Sequence, residues 1–219
     1  MRGSFVVARK PADQSVNRND ILLAAADVLQ RNGYEATTMK DIAAEVNLTA
    51  ASLYHHFRNK DTLLLAVLEA GLEQIIGQIE PIVLSHLSCA EKLRRMIAAH
   101  IVGLTQNTAV AAAMIFEMKS LVGGRGEADR NGDAAAHKEF VMRQQAVIAR
   151  RDQFEALFRQ VLREGIERGE FRPVDVGIFT KTFLGAHNWV GLWYRPSGRL
   201  NGQQIADLMA DTFLRALQP

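Results

Sequence analysis

The apolar positions of this chain fall on helical spacings from residue 21 onward. Ile21, Leu22, Ala25, Val28 and Leu29 recur at i, i+1, i+4, i+7 and i+8, one face of a helix over residues 19–32. Gly33 supplies a left-handed stop. Thr38 then opens a second helix, with Asp41 placed three residues on as in a capping box, and Met39, Ile42, Ala43 and Val46 form its inner face. Asn47 sits where the chain must turn, and asparagine tolerates the left-handed region better than most residues. Leu48 fills the corner and Thr49 caps a third helix over residues 50–57. With Leu53 inward and a turn of about 100° per residue, Phe57 and Ala50 join the core side. Ala51, Ser52 and His55 point away, flanked by Tyr54 and His56.

The same period continues to the C-terminus. Asn59 caps a fourth helix that Leu63, Leu64, Val67, Leu68 and Leu72 carry to about residue 79, before Pro81. Ser88 and Glu91 form a capping box for a fifth helix over 89–106, with Leu93, Ile97, Ile101 and Leu104 inward. A sixth apolar helix spans 108–121, and the glycine-rich stretch 122–133 reads as a loop. A long seventh helix runs over 134–168 and stops at Gly169; Pro173 is placed in the first turn of an eighth helix over 174–194, and a ninth covers 202–217. No alternating strand pattern of useful length and no internal repeat occurs, so the fold class is all-α. The expected division is a disordered arm at 1–16, a three-helix helix-turn-helix domain at 17–76, and a larger helical effector-binding and dimerisation domain at 77–219.

Composition narrows the function classes. Of 219 residues, 48% are hydrophobic, enough for a real core. The one cysteine, Cys89, rules out an internal disulfide framework and fits a reducing cytoplasm. No apolar run approaches the roughly 18 residues of a membrane span. Residues 1–60 hold 8 Lys and Arg against 6 Asp and Glu, whereas 61–219 hold 18 of each. The basic excess therefore lies beside the turn motif, where Arg2, Arg9, Lys10 and Arg18 form either a solubilising tail or a phosphate-touching arm.

Helix-turn-helix hairpins also occur in α-proteins with no role on DNA; this string is more specific than its geometry. Thr37-Thr38, Asp41-Ile42-Ala43, Leu53-Tyr54-His55-His56-Phe57 and Asn59-Lys60 stand at fixed spacing near the N-terminus. Over about residues 17–76 the chain resembles the TetR family of bacterial repressors. That family's turn usually has Gly at the place of Asn47, and often a bulky aromatic at the place of His55. The resemblance implies DNA contacts at Thr37, Thr38, Lys40, Thr49, Ala50, Ala51, Ser52, Tyr54, His55, His56 and Lys60. Chemistry sorts them. Thr38 with its helix N-terminus, the Tyr54 hydroxyl and the Lys60 charge suit phosphates and set register. Lys40, Ala51, Ser52 and His55 suit base edges, through thymine-methyl contacts and short hydroxyl bonds.

The resemblance further implies a homodimer on a palindromic operator and a small-molecule effector. The helix over 174–194 is apolar around much of its circumference, with Phe179, Phe183, Ala186, Val190 and Trp193 on one stripe and Ile178, Thr182, Gly185, Trp189 and Leu192 on a neighbour. A helix apolar on more than one side is buried on more than one side. Phe179, Phe183, Ala186 and Val190, with Leu208, Met209 and Phe213 of the last helix, are the expected dimer contacts. Met114, Phe116, Met118, Phe154, Phe158, Asn188, Trp189 and Trp193 are the expected effector contacts. Residues 163–173 and 188–200 resemble the subgroup regulating fatty-acid, aromatic-acid and sterol catabolism, whose effectors are commonly acyl-CoA thioesters; Arg150, Arg151 and Arg195 are candidates for the anionic CoA moiety.

An enzyme is not expected: no Gly-x-Ser-x-Gly elbow, phosphate-binding glycine loop or His-Glu-x-x-His pair is present. No cofactor is expected, and no metal site: some family members hold a metal, and His100 with Glu117 could do so, but nothing singles that pair out. The remaining alternative is a helical ligand-binding or scaffold protein that does not bind DNA.

Overall fold

A computed structural model describes residues 17–122 and 134–219, with the side chains of 117–122 left aside. The basic residues Arg2, Arg9 and Lys10, the arm over 1–16, the loop over 123–133 and the side chains of Met118 and Glu117 lie outside the described residues. Within them the elements are α1 (Arg18–Ala36), α2 (Met39–Glu45), α3 (Ala50–His56), α4 (Lys60–Val83), α5 (Cys89–Gln106), α6 (Thr108–Val122), α7 (Ala134–Glu167), α8 (Val176–Trp193) and α9 (Gly202–Ala216), with no strand among them.

Side-chain caps start most of these helices. Asn17, Thr38, Asn59 and Asn201 each close a complete capping box. Ser88 accepts from the Glu91 N–H at 3.2 Å, but the Glu91 carboxylate turns to Arg95 at 2.6 Å. That box is therefore half made; another first-turn donor, the Ala90 N–H, is taken by Glu170 at 3.3 Å. Gly33 has φ 75° and breaks α1, which resumes for one short turn to Ala36. Asn47 has φ 56°, and the bonds Leu48 N–H to Ala43 carbonyl (2.8 Å) and Asn47 N–H to Ala44 carbonyl (3.2 Å) complete a Schellman turn between α2 and α3.

Two helix ends depart from expectation. Pro81 does not stop α4; it sits in the last turn, where one missing N–H costs one bond, and the Leu84 N–H to Glu80 carbonyl bond (3.0 Å) closes the helix beyond it. Pro173 lies before α8, whose cap is Asp175, accepting from the Ile178 N–H at 2.8 Å.

One hydrophobic core runs from Ile21 to Leu217. α5 is its axis, packed by α9, α8, α4 and α7; α4 also meets α7, α6 and α1, and α1 leans on α6. α4 passes unbroken through residues 76–77, so the expected division there falls inside a helix and not at a linker. By length and composition α4 is apolar enough to cross a membrane, which counting uninterrupted apolar residues does not reveal; half of its apolar window is buried within the protein. Close approaches require glycine at two crossings. A Cβ on Gly165 of α7 would run into the Phe171 ring, and one on Gly202 of α9 would run into the Thr105 hydroxyl of α5. Each glycine brings backbone to within van der Waals contact of its neighbour.

Candidate nucleic-acid interface and effector cleft

α3 buries Leu53 fully and leaves Ala51, Tyr54 (53% exposed), His55 and His56 in solvent. Seven residues cannot hold a helix unaided. Thr49 accepts from the Ser52 N–H at 3.0 Å and its hydroxyl meets that of Ser52 at 2.9 Å, so Ser52 is half-buried in the cap. Phe57, buried at the C-terminal end, closes the helix through its N–H to the Leu53 carbonyl and carries the Arg18 guanidinium 5.4 Å above its ring. α2 stands before it. Thr38 and Asp41 bond reciprocally (Thr38 N–H to Asp41 at 2.8 Å, Thr38 hydroxyl to Asp41 at 2.7 Å), and these bonds from Thr38 hold the Asp41 carboxyl below its ordinary value. Lys40 is exposed beside them.

Several of the expected DNA contacts are held by contacts within the chain. Thr37 is buried and donates its hydroxyl to the Gly33 carbonyl at 2.7 Å, where it fixes the α1–α2 turn. Ala50 is half-buried on the inner side of α3. His56 lines a cleft of about 200 Å³ with Arg58, His137 and Phe140, on the flank of α3 that looks toward α7. Lys60 is engaged within the chain. Its ammonium donates to the carbonyls of Tyr34 (2.6 Å) and Thr37 (2.8 Å), and lies 4.1 Å from the centroid of the Tyr34 ring. Tyr34 in turn donates its hydroxyl to Asp61. The lysine therefore clamps the start of α4 to the end of α1. Its spacing gave no warning, because the carbonyls it meets belong to residues 23–26 positions earlier in sequence.

The two apolar stripes of α8 face opposite to expectation. Phe183 and Val190 are fully buried in the subunit's own core, with Phe179 half-buried beside them, packed through Phe213 of α9 at ring distances of 5.8 and 6.2 Å. These three phenylalanines and Val190 hold the subunit together and are not a free surface. Ala186 and Met209 are half-buried. What faces outward is Ile178 (65% exposed), Thr182, Gly185 and Trp189 (63%), with Leu208 (55%) on α9. Trp189, Trp193 and Asn188, expected around an effector, thus lie on the surface of the subunit. Met114 packs its sulfur 3.5 Å from where a Gly71 Cβ would stand, and is a spacer between α6 and α4.

A cleft of about 560 Å³ opens between α1, α6 and the C-terminal end of α8. Phe116 lines it, as expected, together with Leu29, Ala112, Ala113 and Leu192; Gln30 and Arg195 are its polar residues. Its small side chains give no pattern distinct from ordinary helix packing. Arg195 donates to the Tyr194 carbonyl at 2.9 Å and is exposed; Arg150 and Arg151 lie on α7 away from the cleft, Arg151 paired with Asp152 at 2.7 Å.

Deeper in the same half, His100 of α5 and His187 of α8 stand 5.5 Å apart, ring to ring. Both are buried, inside a cage of phenylalanines that includes Phe154 at 4.9 Å from His100 and Phe183 at 5.2 Å from His187. Burial holds His100 down at about pH 4 and His187 well below its ordinary value, so both are neutral. Phe154 and Phe158, placed by the sequence near an effector, are walls of this cage. Among the described residues no three His, Cys, Asp or Glu side chains gather as a metal site. Cys89 is buried, and burial, with Glu170 and Glu164 nearby, pushes its thiol up to about 11.

Residues 21–67 match the family described as bacterial regulatory proteins, tetR family, and residues 141–217 match the tetracyclin repressor-like C-terminal domain. The transcriptional repressor KstR2 of Mycobacterium tuberculosis is 30% identical over 190 residues, 86% of each chain. The solved structure of that ketosteroid regulator superposes with a TM-score of 0.79 at 26% identity, over 95% of this chain and 98% of that one. PfmR from Thermus thermophilus, a TetR-family regulator, gives 0.76 at 30% identity over 93% and 100%. AibR, solved in complex with isovaleryl coenzyme A and operator DNA, gives 0.69 at 28% identity over 89% and 96%.

Proposed function

This chain belongs to the TetR family of bacterial regulators, and from that premise we propose that it is a repressor released from its operator by an acyl-CoA thioester. The exposed face of α3 carries the proposal. A capped seven-residue helix gives one residue, Leu53, to full burial and presents Ala51, Tyr54 and His55 outward on a rigid support, with the half-buried Ser52 at their edge. Thr38 and Tyr54 hold phosphates; Lys40, Ala51, Ser52 and His55 meet base edges. Small groups at 51 and 52 let the helix lie close to the groove floor. Thr49 acts through its cap and Lys60 through its clamp, so neither needs to touch DNA.

The protein works as a homodimer. The uncovered stripe Ile178, Thr182, Gly185 and Trp189 of α8, with Leu208 of α9, meets its own copy about a two-fold axis, and the two α3 helices read half-sites about 34–36 Å apart. The effector enters the cleft between α1, α6 and α8, its acyl part against Phe116 and Leu29 and its anionic part at Arg195. The cleft touches both the reading head, through α1, and the core, through α8, so a molecule seated there acts on the angle between them. The cytoplasm holds both DNA and acyl-CoA, and no catalytic step is assigned.

Fluorescence anisotropy of the labelled promoter region of the protein's own operon, titrated with full-length protein, tests this. Binding that weakens with salt and is reversed by an acyl-CoA is the expected result. Salt-dependent binding that no acyl-CoA reverses removes the effector class and leaves the repressor; no duplex binding at any salt removes both.

A further inference from the structure

The phenylalanine cage contains more hydrogen-bonding capacity than the protein uses. Nδ1 of His100 and both ring nitrogens of His187 are buried without a hydrogen-bond partner among the described residues. His187 is fully enclosed and His100 nearly so. Phe154, Phe158, Phe183 and Phe213 line the pair, with ring centroids 4.9 to 6.4 Å from one imidazole or the other. A plain packing role would be met as well by two more phenylalanines, without the cost of stranded polar atoms.

We propose that His100 and His187 form a recognition site for a neutral oxygen, a hydroxyl or ketone, on the body of the effector's acyl group. The inference rests on the acyl-CoA reading above and specifies it. Each neutral imidazole offers one N–H donor and one lone-pair acceptor. The pair can therefore donate to a ketone oxygen, or donate to and accept from a hydroxyl. A carboxylate or phosphate would find no cation among the rings that line the pair, which excludes the charged end of the ligand from this position. A saturated chain would leave the nitrogens stranded.

Placement supports the orientation. Gly191 lines the effector cleft and lies one turn beyond His187 on α8, while Leu104 lies one turn beyond His100 on α5. The two helices meet there, a Cβ on Gly191 standing 3.9 Å from Leu104. The imidazole pair is thus about one helical turn, roughly 5.4 Å, beyond the inner wall of the cleft. An acyl-CoA with its anionic part at Arg195 would reach the pair by extending along α8 past Gly191, which packs against Ala111, Ile115 and Leu104.

Isothermal titration of full-length protein with two matched sets tests the assignment: octanoyl-CoA against its hydroxyoctanoyl positional isomers, and cyclohexanecarbonyl-CoA against its ring-hydroxylated counterpart. The wild type binds at least one hydroxylated member about tenfold or more tighter than its parent, and His187→Phe and His100→Phe each abolish that preference while parent binding stays. Because a Phe variant can fold poorly, 15N-histidine-labelled wild type supplies a second readout: ring-nitrogen resonances of two of the six histidines move with the hydroxylated ligand and not with its parent. Equal affinity across both sets, or a preference that survives both substitutions, overturns the His-pair assignment and leaves the acyl-CoA reading intact. No binding by any compound overturns that reading, and the assignment with it.

Discussion

Lys60 and Tyr54 separate two roles that a basic and a hydroxylic residue near DNA are easily assumed to share. Lys60 is occupied by carbonyls of the α1–α2 turn, whereas Tyr54 is 53% exposed on α3. Lys60→Ala is expected to lower unfolding stability by about 1–3 kcal/mol while leaving the salt slope of DNA binding unchanged. Tyr54→Phe is expected to leave stability alone and weaken operator binding by about 1 kcal/mol. Urea titration and salt-dependent anisotropy read the two effects separately. At the buried histidines the expectation is a pH dependence. Below about pH 6.5 the unfolded chain takes up protons that folded His100 refuses until about 4, and that folded His187 likewise refuses until well below its ordinary value. Stability is therefore complete above that range and falls as pH drops through it, by up to about 1.4 kcal/mol per pH unit for each histidine. His187→Phe flattens the fall in a melting series between neutral pH and pH 5; an unchanged slope contradicts the burial of a neutral imidazole.

Among the elements, α4 joins the two ends of the protein. Its first turn is held by the Lys60 clamp, and its middle by Glu69, which takes two bonds from Arg143 of α7 at 3.1 and 2.6 Å. Glu69→Gln is expected to leave operator affinity within about twofold and to reduce the effector's release of DNA, since α4 can then turn without moving α7. Gly165→Ala is expected to cost about 1–3 kcal/mol, because the added methyl collides with the Phe171 ring. The caps and the Asn47 turn were legible in the sequence because they are local: a side chain three residues from its partner, or one residue with positive φ, decides them. The two stripes of α8 were legible as stripes and not as faces. Period gives the angle between Phe183 and Trp189 around the helix, but both are apolar, and which one meets α5 depends on α9 and its Phe213, about 30 residues on in sequence. Pro81 and Pro173 misled for a related reason: proline marks the neighbourhood of a helix end without saying which side of it the end falls.

For the whole molecule, assembly follows from the uncovered stripe. Trp189→Asp places a charge in the centre of the proposed two-fold contact and is expected to give a folded monomer by sedimentation velocity, with operator affinity reduced at least about a hundredfold as the second reading helix is lost. A dimer that persists in this variant places the contact elsewhere. The central claim is that operator and effector oppose each other through one conformational equilibrium, and thermodynamic reciprocity provides its most direct test. The measurement is a calorimetric titration of an acyl-CoA into the free protein and into the protein–operator complex. The predicted result is weaker effector binding in the complex, by the same factor by which that effector weakens operator binding. Equal effector affinity in the two titrations would contradict the account.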